Sequence, residues 1–192
     1  MPGLLHFTGF RRVLEGDLDM EDLGGRRQVV IGTPPSIFKV DAAEALIGAA
    51  GVFENFASAD WVLRVRQINS LVDRYAGGVI EKLATNLHGS IRLRVRARDS
   101  AASHDFDGLS SGQKEIISTL YLIWRHTLDN PSLVLIDEPE LHLNAEWRVD
   151  YVRMLHRIAP HNQYILATHS EDIFASVDPS RRIILNPVAV PV

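Results

Sequence analysis

"SLVLIDEPELHLNA", residues 132–145, decides the fold. Leu133 to Ile136 form an unbroken apolar run, which reads as a strand buried on both faces, as in parallel sheets. Two adjacent carboxylates, Asp137 and Glu138, close it. In open α/β sheets ligands gather beyond the carboxyl ends of the strands, so these acids stand where a ligand is met. One acid can hold a magnesium ion, directly or through water, while its neighbour takes a proton from an attacking water. A solvated strand end explains an isolated pair of acids equally well.

On the C-terminal side, residues 144–159 read as a helix with Trp147, Tyr151, Leu155 and Ile158 on one side, stopped by Pro160. A second strand comes next, "QYILAT" (163–168), then a short helix from Ser170 and a strand "RRIIL" (181–185). "ILATHS" (165–170) sets His169 at the end of its strand and Ser170 at a helix N-cap, so His169 can reach the same ligand as Glu138. A lone histidine at such a place is more often an ordinary loop residue.

On the N-terminal side, "LSSGQKEIISTLYLIW" (109–124) opens a helix of about residues 113–129. Ser110 or Ser111 can cap it near Gly112, leaving unpaired amides and the positive helix end facing outward, a match for phosphate. As an isolated pattern it also describes a simple helix start. Helix, strand, helix, strand in this order predicts an α/β layer structure with a mainly parallel sheet.

Further upstream, "SIRLRVRAR" (90–98) alternates strictly, with Ile91, Leu93, Val95 and Ala97 on one face and Arg92, Arg94, Arg96 and Arg98 on the other. The arginines form either a stripe for a phosphate backbone, as in DNA, or a solvated face that discourages edge pairing; no interleaved aromatics support the first. Residues 41–87 read as helical, with Trp61, Val65, Ile68 and Val72 continued by Tyr75, Val79, Leu83 and Leu87, and with a kink or break at Gly77 and Gly78. "RRQVVIG" (26–32) reads as a short strand, "GTPPS" (32–36) as a turn that its prolines keep from being helical, and residues 1–27 as loop or poorly anchored structure.

The totals of the 192-residue chain are those of a globular domain: 46% apolar, 23% charged and a net charge of −4, which offers no bulk attraction to nucleic acid or anionic membrane. It has no cysteine, which excludes disulfides and thiolate metal sites and fits a cytoplasmic location. No stretch approaches the ~20 apolar residues of a membrane span.

Together the three motifs resemble the ABC-type ATPases, in particular the SMC, RecF and OLD-like group. "LSSGQK" (109–114) is similar to the signature motif, "LVLIDEPELHL" (133–143) to Walker B with its D-loop in the OLD-like spelling, and "ILATHS" to the switch histidine. The resemblance covers about residues 105–185. It implies ATP and Mg²⁺ as cofactors: Asp137 holding magnesium through water, Glu138 orienting and deprotonating the attacking water, and His169 contacting the γ-phosphate. Ser110 and the Gly112 amide, with Ser111 and Gln113 in the same motif, would meet ATP bound to a second subunit; Ser111 stands where the family has glycine.

One part of that family's equipment is not in the sequence. G-x-x-x-x-G-K-[ST] requires a lysine after glycine, and the three lysines, Lys39, Lys82 and Lys114, follow Phe38, Glu81 and Gln113. The nearest imitation, "GTPPSIFK" (32–39), has prolines where backbone donors are needed. The implied fold is therefore a partial P-loop NTPase fold, an ABC-type nucleotide-binding lobe. Residues 105–192 would form that lobe and residues 1–104 a preceding or replacing region, the two making one compact unit. The strand at 132–136 then needs a neighbour: a half supplied by another chain, an upstream segment, or a replacement strand from residues 28–40.

Three functions remain open on these residues. The lobe is an ATPase, acting by ATP-dependent dimerisation with itself or with a P-loop-containing partner chain; or it is an inactive binding module that presents Ser110 to Gln113 to a partner's ATP; or it is a structural protein whose motifs are relics.

Overall fold

A computed structural model describes residues 3–8, 34–51, 59–85 and 91–185. In chain order they form β1 (Gly3–Phe7), α1 (Pro34–Ala49), α2 (Ala59–Ala76), β2 (Gly78–Thr85), β3 (Ile91–Ala97), β4 (Ser103–Asp105), α3 (Ser111–Thr127), β5 (Ser132–Asp137), α4 (Ala145–Ile158), β6 (Gln163–Ala167) and α5 (Glu171–Ala175), with short 3₁₀ turns at Phe106–Gly108 and Pro179–Arg181. Two three-stranded sheets result, ordered β1-β5-β6 and β2-β3-β4. The first is parallel and carries the site; the second is antiparallel. No described helix is long and apolar enough to cross a membrane.

The neighbour of β5 is β1, paired in parallel from Gly3↔Ser132 to Phe7↔Ile136. This corrects two expectations, since residues 3–7 are not loop and the replacement strand does not come from 28–40. Residues 28–33, and with them the strand expected at 26–32, lie outside the described residues, while 34–40 begin α1. Pro34 and Pro35 occupy the first turn of α1 rather than blocking it, because amides there have no intrahelical acceptor to lose.

Strand alternation divides the parallel sheet into two unlike faces. Phe7, Val134 and Ile136 are buried in the same core as Tyr151, Met154 and Leu155 of α4 and Ile116, Ile117 and Leu120 of α3, with Leu5, Tyr164 and Leu166 packed against it. The register places Leu4, Leu133, Leu135, Ile165 and Asp137 on the opposite face. There Leu4 is 62% and Ile165 53% exposed, and Leu133 and Leu135 are half-buried. Among the described residues, then, β5 is covered on one face rather than on both.

α3 is the central helix, buried continuously from Lys114 to Trp124. A polar cluster links the three helices of this layer. Arg64 of α2 bonds Asp41 of α1 at 3.0 Å, and the hydroxyl of Tyr121 on α3 donates to the same carboxylate. Burial, and next the Asp41 charge, push the Tyr121 phenol upward. Helices α1 and α2, upstream of residue 105, thus pack on α3 downstream of it, and Phe38 stacks on Phe106 at 5.1 Å.

The stripe expected to continue helically through Val79 and Leu83 instead lies in β2. Gly77, at φ 65°, takes the left-handed conformation that ends α2, and its amide bonds the Asp73 carbonyl at 3.1 Å. The break at the two glycines is therefore real, and the chain continues beyond it as a strand; Leu87 lies outside the described residues.

β3 obeys its alternation. Ile91, Leu93 and Val95 are buried, and the arginines meet carboxylates: Arg92 and Arg94 with Asp105 at 3.7 and 2.7 Å, Arg96 with Glu81 at 3.6 Å, and Arg98 with Asp73 at 2.5 Å. Such pairing belongs to a solvated face more than to a phosphate-tracking stripe.

"RRIIL" forms no strand. Arg181 ends a 3₁₀ turn, and Arg182 is held by bonds to the Val177 and Ala175 carbonyls. Ile183, Ile184 and Leu185 stand exposed, because a strand exists only against a partner's backbone.

Candidate functional site

Parallel pairing of β5 and β6 brings their carboxyl ends side by side. Asp137 pairs with Ala167, and the Glu138 amide donates to the Ala167 carbonyl at 2.8 Å. Asp137 is exposed, at the end of the open sheet face, and Glu138 is half-buried. Glu138 takes φ 47°, a left-handed conformation uncommon for a residue with a side chain. The chain thereby leaves the strand abruptly, through the buried Pro139.

Glu140, absent from the sequence-derived site, joins the two strand ends. Its carboxylate accepts from the Thr168 hydroxyl at 2.6 Å and from the His169 amide at 2.7 Å, and the Ser170 amide donates to Thr168 Oγ1 at 3.0 Å. Burial works to raise the Glu140 carboxyl, but the hydrogen bonds from Thr168, the His169 amide and its own amide, with His169 nearby, together outweigh it and hold it below the ordinary glutamate range. The side chain of His169 is exposed, and Ser170 caps α5 as its position suggests. Glu140 was visible inside "DEPELHL"; nothing local distinguishes it from the acids before it.

The helix mouth at residues 109–114 is a capping box. Ser110 Oγ accepts from the Gln113 amide at 3.2 Å, and Gln113 Oε1 accepts from the Ser110 amide at 2.9 Å. Gln113 also donates through Nε2 to the Tyr75 carbonyl at 3.0 Å. Both ends of its side chain are therefore engaged in scaffolding, which separates it from the exposed Ser110 and Ser111. The Ser110 hydroxyl proton remains able to donate, and the Ser111 and Gly112 amides stand in the first turn, where no intrahelical carbonyl meets them. Behind the mouth, Lys39 bonds Asp107 Oδ1 at 2.5 Å and Lys114 donates to the Asp107 carbonyl at 3.1 Å.

The loop beyond the acids connects these two parts. A Cβ on Gly112 would lie 2.2 Å from the His142 carbonyl oxygen, so only glycine permits that approach. His142 is itself left-handed at φ 62°. Asn144 then caps α4 by accepting from the Trp147 amide at 2.8 Å. One short loop thus leads from Asp137 and Glu138 to the mouth at Gly112.

The described residues hold no group of three or more His, Cys, Asp or Glu able to bind a metal by themselves. A single exposed carboxylate at a strand end suits magnesium, which keeps most of its waters and shares its remaining positions with substrate phosphates. Asp137 therefore fits a cation delivered with a nucleotide, and not one caged by the chain.

Residues 40–175, well over half of the chain, match the family model described as "AAA domain, putative AbiEii toxin, Type IV TA system". The chain belongs to this AAA-domain family. The match spans the helix mouth at 109–114 and the ends of β5 and β6, and leaves out β1 and Lys39.

Curated relatives of the AAA domain include the "Retron Vc95 probable ATPase" of Vibrio cholerae serotype O1 biovar El Tor, 35% identical over 88 residues, covering 41% of this chain and 17% of that protein. The "Retron Ec83 probable ATPase" of Escherichia coli is 31% identical over 80 residues, covering 36% of this chain and 15% of that one. The chain thus spans less than a fifth of either relative. Among solved structures, an SmcHead bound to the C-winged helix domain of ScpA superposes with a TM-score of 0.52 at 15% identity, over 82% of this chain and 50% of that chain. The likeness to the SMC head holds at the level of fold: an α/β, P-loop NTPase-like arrangement with a parallel sheet and flanking helices.

Proposed function

We propose that this AAA domain is an ATPase lobe that switches by ATP-dependent association, with the main phosphate cradle, G-x-x-x-x-G-K-[ST], coming from a polypeptide segment outside this sequence or from a partner chain. The carrying observation is the joined carboxyl end of β5 and β6, where Asp137, Glu138 and His169 are held within one hydrogen-bonded turn system.

In this reading Glu138 takes the proton of a water attacking the γ-phosphate, and His169 contacts that phosphate from the next strand. Asp137 would hold a magnesium ion arriving with the nucleotide, and that ion would supply neutralisation of phosphate charge. Ser110, through its hydroxyl, and the Ser111 and Gly112 amides bind the phosphates of a nucleotide carried by the second subunit, a homodimer mate or a P-loop-bearing partner. The open face of the parallel sheet, with Leu4 and Ile165 exposed, supports the completion by further polypeptide, because parallel sheets are ordinarily covered on both sides.

The test is turnover of ATP by the chain alone and by an assembly containing a P-loop segment. The chain alone should be inactive and the assembly active. Glu138→Gln should lower turnover by about 10²- to 10⁴-fold, the usual weight of a general base, while ATP-driven association persists. Undiminished turnover in that variant overturns the assignment of the base.

The lack of G-x-x-x-x-G-K-[ST] in the sequence favours one other reading, a non-hydrolysing module that completes a partner's ATP site. If Ser110→Arg abolishes the partner's activity and Glu138→Gln leaves it intact, that reading replaces the first.

A further inference from the structure

Glu140 lies between the two groups to which chemistry is assigned, and it bonds the backbone amide of His169 and the side chain of the neighbouring Thr168. The left-handed turn at Glu138 and the buried Pro139 bend the chain so that Glu140 faces the end of β6. There each carboxylate oxygen accepts one donor, Oε2 from Thr168 and Oε1 from the His169 amide. Thr168 in turn accepts from the Ser170 amide, which opens α5. Bonds to an ionised acceptor are short and stronger than neutral ones, as the 2.6 and 2.7 Å separations show. Only a carboxylate offers two acceptor oxygens here; an amide of the same shape would turn its NH₂ toward a donor.

We propose that Glu140 is a positioning residue that locks the Thr168–His169 end of β6 to the acidic end of β5, so that His169 and Glu138 keep one spacing when the surfaces around them move. Glu140 touches no reacting atom in this scheme. Without it, residues 168–170 would extend beyond the ladder that ends at the Asp137–Ala167 pair and the bond from the Glu138 amide to the Ala167 carbonyl, free to shift on their own. The catalytic consequence rests on the ATPase reading above; the lock itself does not.

Two readouts separate the two claims. The first is amide hydrogen exchange at His169 in the isolated chain, with Glu146→Gln, an exposed substitution at the start of α4, as the control. Loss of one hydrogen bond to a charged group predicts roughly tenfold or faster exchange at His169 in Glu140→Ala, a smaller rise in Glu140→Gln and none in the control. Should Glu140→Ala fail to fold, Thr168→Val removes one arm of the lock and should accelerate exchange at His169 and Ser170. Unchanged exchange in the folded variants overturns the lock.

The second is steady-state turnover by the P-loop-complete assembly. Glu140→Ala should lower kcat by at least tenfold with KM little altered, and Glu140→Gln should recover part of it. Accelerated exchange with unchanged kcat overturns the positioning role. An assembly of wild-type chain with no turnover refutes the ATPase reading instead, and the exchange measurement still decides the lock.

Discussion

Gly112 and the His142 carbonyl approach so closely that a methyl group on residue 112 would sit 2.2 Å from the oxygen. The contact joins the mouth of α3 to the loop that leaves Asp137 and Glu138, and it is made against backbone, which cannot swing aside. Gly112→Ala should therefore destabilise the chain by about 1–3 kcal/mol, the typical cost of overpacking. Urea unfolding followed by circular dichroism measures it, and a midpoint equal to that of the wild type would contradict the close contact.

Gln113 is expected to behave as scaffold rather than as a nucleotide contact. Its side chain bonds the Ser110 amide and the Tyr75 carbonyl. Replacement by alanine should cost about 1–2 kcal/mol from the two lost bonds. In a P-loop-complete assembly its effect on KM for ATP should be small beside that of Ser110→Arg. A change in KM with no change in stability would reverse this assignment.

Glu140 gives the fold a defined response to acid. Its carboxyl is held below the ordinary glutamate range in the folded chain, so the unfolded chain binds its proton first as pH falls. The stability it contributes is present above the unfolded glutamate value, about 4.3, and is lost as pH drops through the lower folded value. Glu140→Gln should flatten this part of a stability–pH curve while leaving other acid-sensitive groups in place. Identical slopes for the two proteins below that value would argue against it.

The open face of the parallel sheet should govern how the isolated chain associates. Ile165→Thr keeps a β-branched residue in β6 and removes exposed apolar surface. Light scattering after size exclusion should show less self-association at equal folding stability, and assembly with a P-loop-bearing segment should weaken. An unchanged oligomer distribution together with unchanged assembly would show that this face meets nothing.

Much of the site was legible along the chain because its signals are local. An apolar run closed by two acids specifies β5 and its end, the small polar residues Ser110 and Ser170 mark helix starts, and strict alternation specifies β3. Where two periodicities fit the same residues, the local signal fails. Val79 and Leu83 sit at helical spacing from Tyr75, yet Gly77 ends the helix and β2 finds a partner in β3. β1 is short and its pairing partner lies more than a hundred residues away, so no local pattern announces it. "RRIIL" errs in the other direction, since strand-like composition stays irregular where no neighbour supplies hydrogen bonds.

By itself the sequence determined which segments are apolar, that helices begin at Ser110 and Ser170, that no lysine follows a glycine, and which acids and histidine end their strands. Tertiary structure alone decided that β1 flanks β5, that one sheet face stays open, and that Glu140 reaches across 29 residues to His169 and its neighbour Thr168. The division has a physical origin. Propensity and periodicity act over one or two turns of chain, whereas a hydrogen bond between distant segments exists only once packing has brought both groups out of water at the same place.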